Sequence, residues 1–61
     1  MTVDTCVFGP FIYMRLCNGV QPTRYYRSPL NRSRLSRAVR IDEVPPEVGS
    51  YFAATEATAA P

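Results

Sequence analysis

Three stretches near the start of the chain are rich in β-branched and aromatic residues and are separated by turn-forming residues. They span residues 2–8, 11–17 and 20–26. Gly9-Pro10 separates the first two stretches, and Asn18-Gly19 separates the second from the third. Asn-Gly favours a two-residue hairpin turn, because both residues tolerate a positive φ. The pattern therefore predicts a short antiparallel β-meander over about residues 3–26.

Tight turns at both sites fix a register, with Val7 opposite Ile12 and Ile12 opposite Tyr25. One face of the predicted sheet then carries Val3, Val7, Ile12, Met14, Leu16 and Tyr25. The other face carries Cys6, Phe8, Phe11, Tyr13, Arg15, Cys17, Arg24 and Tyr26. The first face is the expected core, because the second is aromatic and basic. The third strand is expected to be an edge or to begin after Pro22, since proline cannot donate to a ladder.

Residues 29–40 are predicted to form one short helix. Ser28 suits the N-cap position and Pro29 the first helical position. Leu30, Leu35, Ala38, Val39 and Ile41 fall on one half of a helical wheel. Pro45-Pro46 then prevents the helix from continuing.

Residues 41–61 are predicted to form an extended, Pro/Ala-rich C-terminal arm. Val44–Val48 contains Pro45-Pro46 and is typical of polyproline structure. Tyr51-Phe52 is the only bulky apolar pair in the last dozen residues. The predicted fold class is thus small α+β, with a meander and helix in residues 1–40 and the arm in residues 41–61.

Length and charge both point towards a partner. A chain of 61 residues buries only about 60% of its unfolded surface and is marginally stable alone. All seven basic residues are arginines. Residues 1–40 carry these seven and one acid, a net charge of +6, whereas residues 41–61 carry four acids and no base, a net charge of −4. Such asymmetry favours a basic face that meets an acidic surface, or an acidic tail that folds back on the basic face, with a solvated basic face as the alternative.

The residue types that most catalytic and metal sites need are scarce. The chain has no His and no Lys, so the common general bases and Schiff-base nucleophiles are missing. Two cysteines without His cannot build a four-ligand zinc site in one chain. The three glycines form no phosphate-binding loop. We therefore expect no enzyme activity, no cofactor, no metal and no small-molecule substrate.

Cys6 and Cys17 are expected to be free thiols. In the predicted register they share a face but lie roughly 13 Å apart along the strands. A disulfide requires Cα atoms within about 7 Å. A disulfide would therefore require a different hairpin register.

The stretch Arg24–Arg40 has two functional interpretations, with an ordinary solvated surface as the third possibility. Arginine and tyrosine are enriched in protein interfaces, and they also bind phosphates and stack on bases. The first interpretation predicts a structural or accessory subunit of a larger assembly, such as a minor virion or ribonucleoprotein component, or a second copy in a homo-oligomer. The second predicts an Arg-rich RNA or single-stranded nucleic-acid-binding protein. The candidate partner-binding residues are Tyr13, Arg24, Tyr25, Tyr26, Arg34, Arg37, Tyr51 and Phe52.

The apolar runs predict no membrane span. The longest, Val7–Met14, is interrupted by Gly9 and Pro10 and is far shorter than the roughly 20 residues required. The first residues lack the basic start of a secretory signal. An intracellular location, or one inside an assembly made in the cell, is expected.

Overall fold

The computed structural model describes residues 2–19, 22–32 and 35–59, with side chains up to residue 55. Four antiparallel strands form one sheet in the order β1-β2-β3-β4, and one helix follows them. The elements are β1 (Thr2–Phe8), β2 (Phe11–Cys17), β3 (Arg24–Pro29), β4 (Arg37–Val39), a 3₁₀ turn (Ile41–Glu43) and α1 (Pro46–Ala59). The predicted small α+β class, with an antiparallel meander, is confirmed.

The first hairpin matches the prediction in both boundaries and register. Val7 lies opposite Ile12, and Phe8 opposite Phe11, across the Gly9-Pro10 turn. Gly9 has a φ of 60°, a conformation that glycine adopts without a Cβ clash. The turn residues therefore set this part of the fold locally.

The predicted register of the second hairpin is wrong. Ile12 lies opposite Ser28, not Tyr25, because β3 begins only at Arg24. The shift moves Pro22 out of the ladder, where its missing N–H would have broken a hydrogen bond. β3 thus begins after Pro22, as one alternative predicted, but it is an inner strand between β2 and β4. Because the shift is three residues, an odd number, Tyr25 and Tyr26 exchange faces.

The helix predicted over residues 29–40 is wrong. Ser28 and Pro29 end strand β3, and the chain returns as the short strand β4. Pro29 is tolerated there because it is the last residue of its strand. The exposed side chains of Leu30 and Leu35 show why the amphipathic pattern was misleading, since neither packs into a core.

The extended arm is also wrong, because residues 46–59 form helix α1. Pro46 occupies the first helical position, where its lack of an N–H costs nothing. Glu47 follows in the first turn, which complements the helix dipole. The N–H of Gly49 donates to the carbonyl of Pro45 at 3.0 Å, as in a regular helix.

The core lies on the sheet face that was not expected to form it. Val48 and Phe52 of α1 are 0% and 2% exposed and pack with Tyr13, Val39 and Val44. Both sequence ranges, 1–40 and 41–61, therefore contribute to one core. We call this side of the sheet the covered face; it carries Asp4, Cys6, Phe11, Tyr13, Arg15, Tyr25 and Val39.

Cys6 and Cys17 are both free and half-buried, as predicted. Cys6 lies opposite Tyr13 and Cys17 opposite Thr2 on the same pair of strands. The confirmed register of the first hairpin is what keeps the thiols apart.

Candidate protein-binding surface

The side of the sheet opposite α1 carries a continuous set of apolar side chains. The register aligns Val3 with Leu16, Val7 with Ile12, and Met14 with Tyr26. Side chains at paired positions of neighbouring strands point to the same face. We call this surface the open face and define it by Val3, Val7, Ile12, Met14, Leu16 and Tyr26.

None of these six side chains is buried in the described structure. Val3 is 49% and Val7 60% exposed, and the remaining four are half-buried. By comparison, Tyr13 and Arg15, which lie on β2 but point to the covered face, are buried. The alternation along β2 is thus between a face that α1 covers and a face that no described element covers.

One ion pair, whose arginine is buried and whose carboxylate is half-buried, links α1 to the covered face. Arg15 is only 7% exposed and forms a salt bridge with Asp4 on the neighbouring strand. Its Nη1 donates a hydrogen bond to the main-chain carbonyl of Phe52 at 3.1 Å, and its guanidinium carbon lies 5.3 Å from the centroid of the Phe52 ring. This basic residue is therefore a structural link between sheet and helix, not a surface charge.

Other arginines also contact groups of the same chain. An Nη of Arg37 lies 3.7 Å from a carboxylate oxygen of Glu43, and Arg40 forms a two-point pair with Asp42 at 2.8 and 3.1 Å. The hydrogen bond with Asp42, followed by the charges of Asp42 and Glu43, raises the pKa of the Arg40 guanidinium. Arg27 stacks on the ring of Phe11 at 4.5 Å. The acids after residue 40 thus neutralise part of the basic surface.

The eight predicted partner-binding residues do not form one surface. Tyr13 and Phe52 belong to the intramolecular core, and Tyr25 is half-buried against it, 6.2 Å from the Phe52 ring. The others are dispersed: Tyr26 on the open face, Arg24 at its end, Arg37 on β4, Tyr51 exposed on α1, and Arg34 outside the described residues. The structure thus brings the predicted aromatic residues of the covered face and α1 together around Phe52, with the Tyr51 ring 6.0 Å from the Phe52 ring. Separately, it places Arg24 and Tyr26 on one face of β3.

The residues that sequence reasoning did not assign to a partner are the aliphatic ones of the open face. A clear alternating pattern predicts a core from these residues, which are Val3, Val7, Ile12, Met14 and Leu16. An alternating pattern reports that a face is apolar, not what covers it.

Among the side chains of residues 2–19, 22–32 and 35–55, no group of three Cys, Asp or Glu could hold a metal ion. In the described part of the chain, no helix has the length and apolar character that a membrane span requires. The described residues that line a shallow depression, Pro10, Leu30 and Asn31, include no charged side chain.

No protein-family model matches the chain, and neither curated proteins nor solved structures give a match.

Proposed function

We propose that this chain is a non-enzymatic accessory or structural subunit that binds a neighbouring protein in a larger assembly through the open face. The observation that carries the proposal is the set of six apolar side chains that α1 leaves uncovered. The open face replaces the arm and the Arg/Tyr surface as the binding element, because the arm is a helix and two of the aromatic candidates are core residues.

The size of the open face supports this proposal. Three strands spaced about 4.8 Å apart, with seven residues at about 3.3 Å each, make a surface of roughly 14 Å by 23 Å. The largest apolar patch on a typical monomer covers about 300–600 Å² and is often functional, and the open face is of that size. A patch of this area matches a protein surface better than a small molecule, since it is flat.

The covered face indicates what kind of partner fits. There, a helix buries one aliphatic and one aromatic side chain, Val48 and Phe52, on the same strands. Sheets that are apolar on both sides are typically covered by a layer on each. We therefore propose an amphipathic helix of the neighbouring protein as the occupant, with its apolar stripe on Met14 and Leu16.

The nucleic-acid alternative has weaker support. Arg15, Arg37 and Arg40 each contact a carboxylate of the same chain. A phosphate would have to displace those contacts or rely on the remaining arginines. The centre of the open face is apolar, which gives a phosphate no partner.

Site-specific photocross-linking in the producing cell tests the proposal. A photoreactive residue at Met14 reports on the open face, and one at Ala53, which is exposed on α1, is the matched control. We expect one protein to cross-link at Met14 and not at Ala53, and Leu16→Asp to reduce that product at least tenfold. Absence of a protein adduct at Met14 would contradict the proposal. An RNA adduct whose yield falls steeply with salt would establish the alternative instead.

A further inference from the structure

The outer edge of β1 presents an ordered row of main-chain groups. The N–H of Leu30, directly after β3, donates to the carbonyl of Pro10, directly before β2, at 2.8 Å. The even-numbered residues of β2 therefore hydrogen-bond towards β3. Because hydrogen bonds alternate in an antiparallel ladder, the odd-numbered residues of β2 bond towards β1, where they pair with even-numbered residues. The N–H and C=O groups of Val3, Thr5 and Val7 therefore point away from the sheet.

β1 lacks the features that protect edge strands. It is seven residues long, contains no Pro or Gly, and pairs with β2 without a bulge. Its one charge, Asp4, points to the covered face and is neutralised by Arg15. Long, flat and partly apolar edges of this kind associate with another strand unless they are blocked. No strand among the described residues pairs with this edge.

We propose that β1 pairs antiparallel with β1 of a second copy of the chain, around a two-fold axis at Thr5. The main-chain groups of three residues point outward, and only an axis at Thr5 pairs all three. Thr5 then lies opposite Thr5 of the second copy, and Val3 of each copy lies opposite Val7 of the other. Each such pair exchanges two N–H···O bonds. The result is a continuous eight-stranded sheet with the two β1 strands at its centre.

The side chains of β1 match a second copy in this register. On the open face, two Val3–Val7 pairs flank a Thr5–Thr5 pair, and both are favourable cross-strand combinations. On the covered face, Asp4 lies opposite Cys6 of the second copy, so the two carboxylates do not meet directly. A slip of one residue would place the open face of one copy beside the covered face of the other. This inference concerns the edge of the sheet and is independent of the open-face proposal.

A proline substitution at the centre of the β1 edge tests whether association depends on main-chain hydrogen bonds. Thr5→Pro removes an N–H that has no partner within the sheet, which edge strands tolerate. We expect the purified full chain to have twice its 6.8 kDa mass by light scattering, and Thr5→Pro to be monomeric with an unchanged far-ultraviolet circular dichroism spectrum. Thr5→Val, which retains the N–H, is the control and remains dimeric. A monomeric unsubstituted chain, or a dimer that persists in Thr5→Pro and dissociates in Met14→Lys, would overturn the pairing.

Disulfide trapping checks the register without relying on the proline variant. In a Cys6→Ser, Cys17→Ser background, Thr5→Cys places two thiols at a pair with a Cα separation of about 5.5 Å, which a disulfide spans. Thr2→Cys is the control, because this register places position 2 of one copy about 20 Å from position 2 of the other. Mild oxidation should cross-link most of the first variant and little of the second. Equal cross-linking of both variants would contradict the proposed axis. Failure of both tests would leave the open-face proposal intact, since that proposal concerns a different protein.

Discussion

The covered face and the open face belong to the same sheet, yet they differ in the kind of side chain they carry. The covered face has aromatic rings and a buried ion pair, with Tyr13 and Arg15 both under 10% exposed. The open face is mostly aliphatic, and its Val7 is 60% exposed. The more aliphatic side is thus the exposed one. The position of α1 decides which face is the core, because burial follows from the element that packs there.

The largest expected effect on stability comes from removing the Phe52 ring, which α1 packs on the covered face. Phe52→Ala removes a ring that is 2% exposed and should lower the free energy of unfolding by about 4 kcal/mol, enough to unfold a domain of this size. Tyr51→Ala is the matched control, since its neighbouring ring is 48% exposed, and should cost much less. Chemical denaturation followed by circular dichroism measures both. Similar losses for the two variants would mean that α1 does not cover the sheet in this orientation.

A smaller loss is expected when the buried charge of the covered face loses its partner. Asp4→Ala leaves the Arg15 guanidinium without its carboxylate and should lower the free energy of unfolding by about 3 kcal/mol. The double variant Asp4→Ala, Arg15→Met should recover much of that loss, because it leaves no unpaired charge. Urea denaturation of the two single variants and the double variant gives the coupling. If the double variant lost more free energy of unfolding than the two single variants lost in total, Arg15 would not be a buried charge that depends on Asp4.

The smallest expected effect is on the open face. Met14→Lys should change the stability of the isolated chain by less than about 1 kcal/mol, because the side chain is only half-buried and lysine can extend into water. Tyr13→Lys, at the adjacent residue on the covered face, is the control and should prevent folding. Thermal melts compare the two. If Met14→Lys were as damaging as Tyr13→Lys, the open face would be covered in the isolated chain.

Local signals explain what the sequence predicts well. Gly9-Pro10 determines the first hairpin because the turn conformation and the flanking register depend on adjacent residues. The same reasoning failed at Asn18-Gly19, where Pro22 could not enter a ladder and the strand began later. The free state of Cys6 and Cys17 followed from the correct register.

The errors arose where distant residues decide the structure. Pro45-Pro46 predicts the end of a preceding helix, although proline at a first helical position equally marks the start of one. Composition alone distinguishes the two faces in the sequence, and it favours the aliphatic face as the core, because the packing of α1 on the other face is a long-range contact. The burial of Tyr13 and Phe52, and therefore their removal from the set of surface candidates, depends on that long-range packing.

The bond from Arg15 to the Phe52 carbonyl joins residues 37 positions apart, and this separation has a consequence for folding order. The strands pair with their neighbours in sequence, so the sheet closes short loops at low entropic cost. α1 lies beyond the last strand and is synthesised after it. Until α1 has packed, the sheet therefore exposes Tyr13 and Val39 on the covered face as well as the apolar side chains of the open face. During that interval, both the covered face and the open face are exposed to association with other chains.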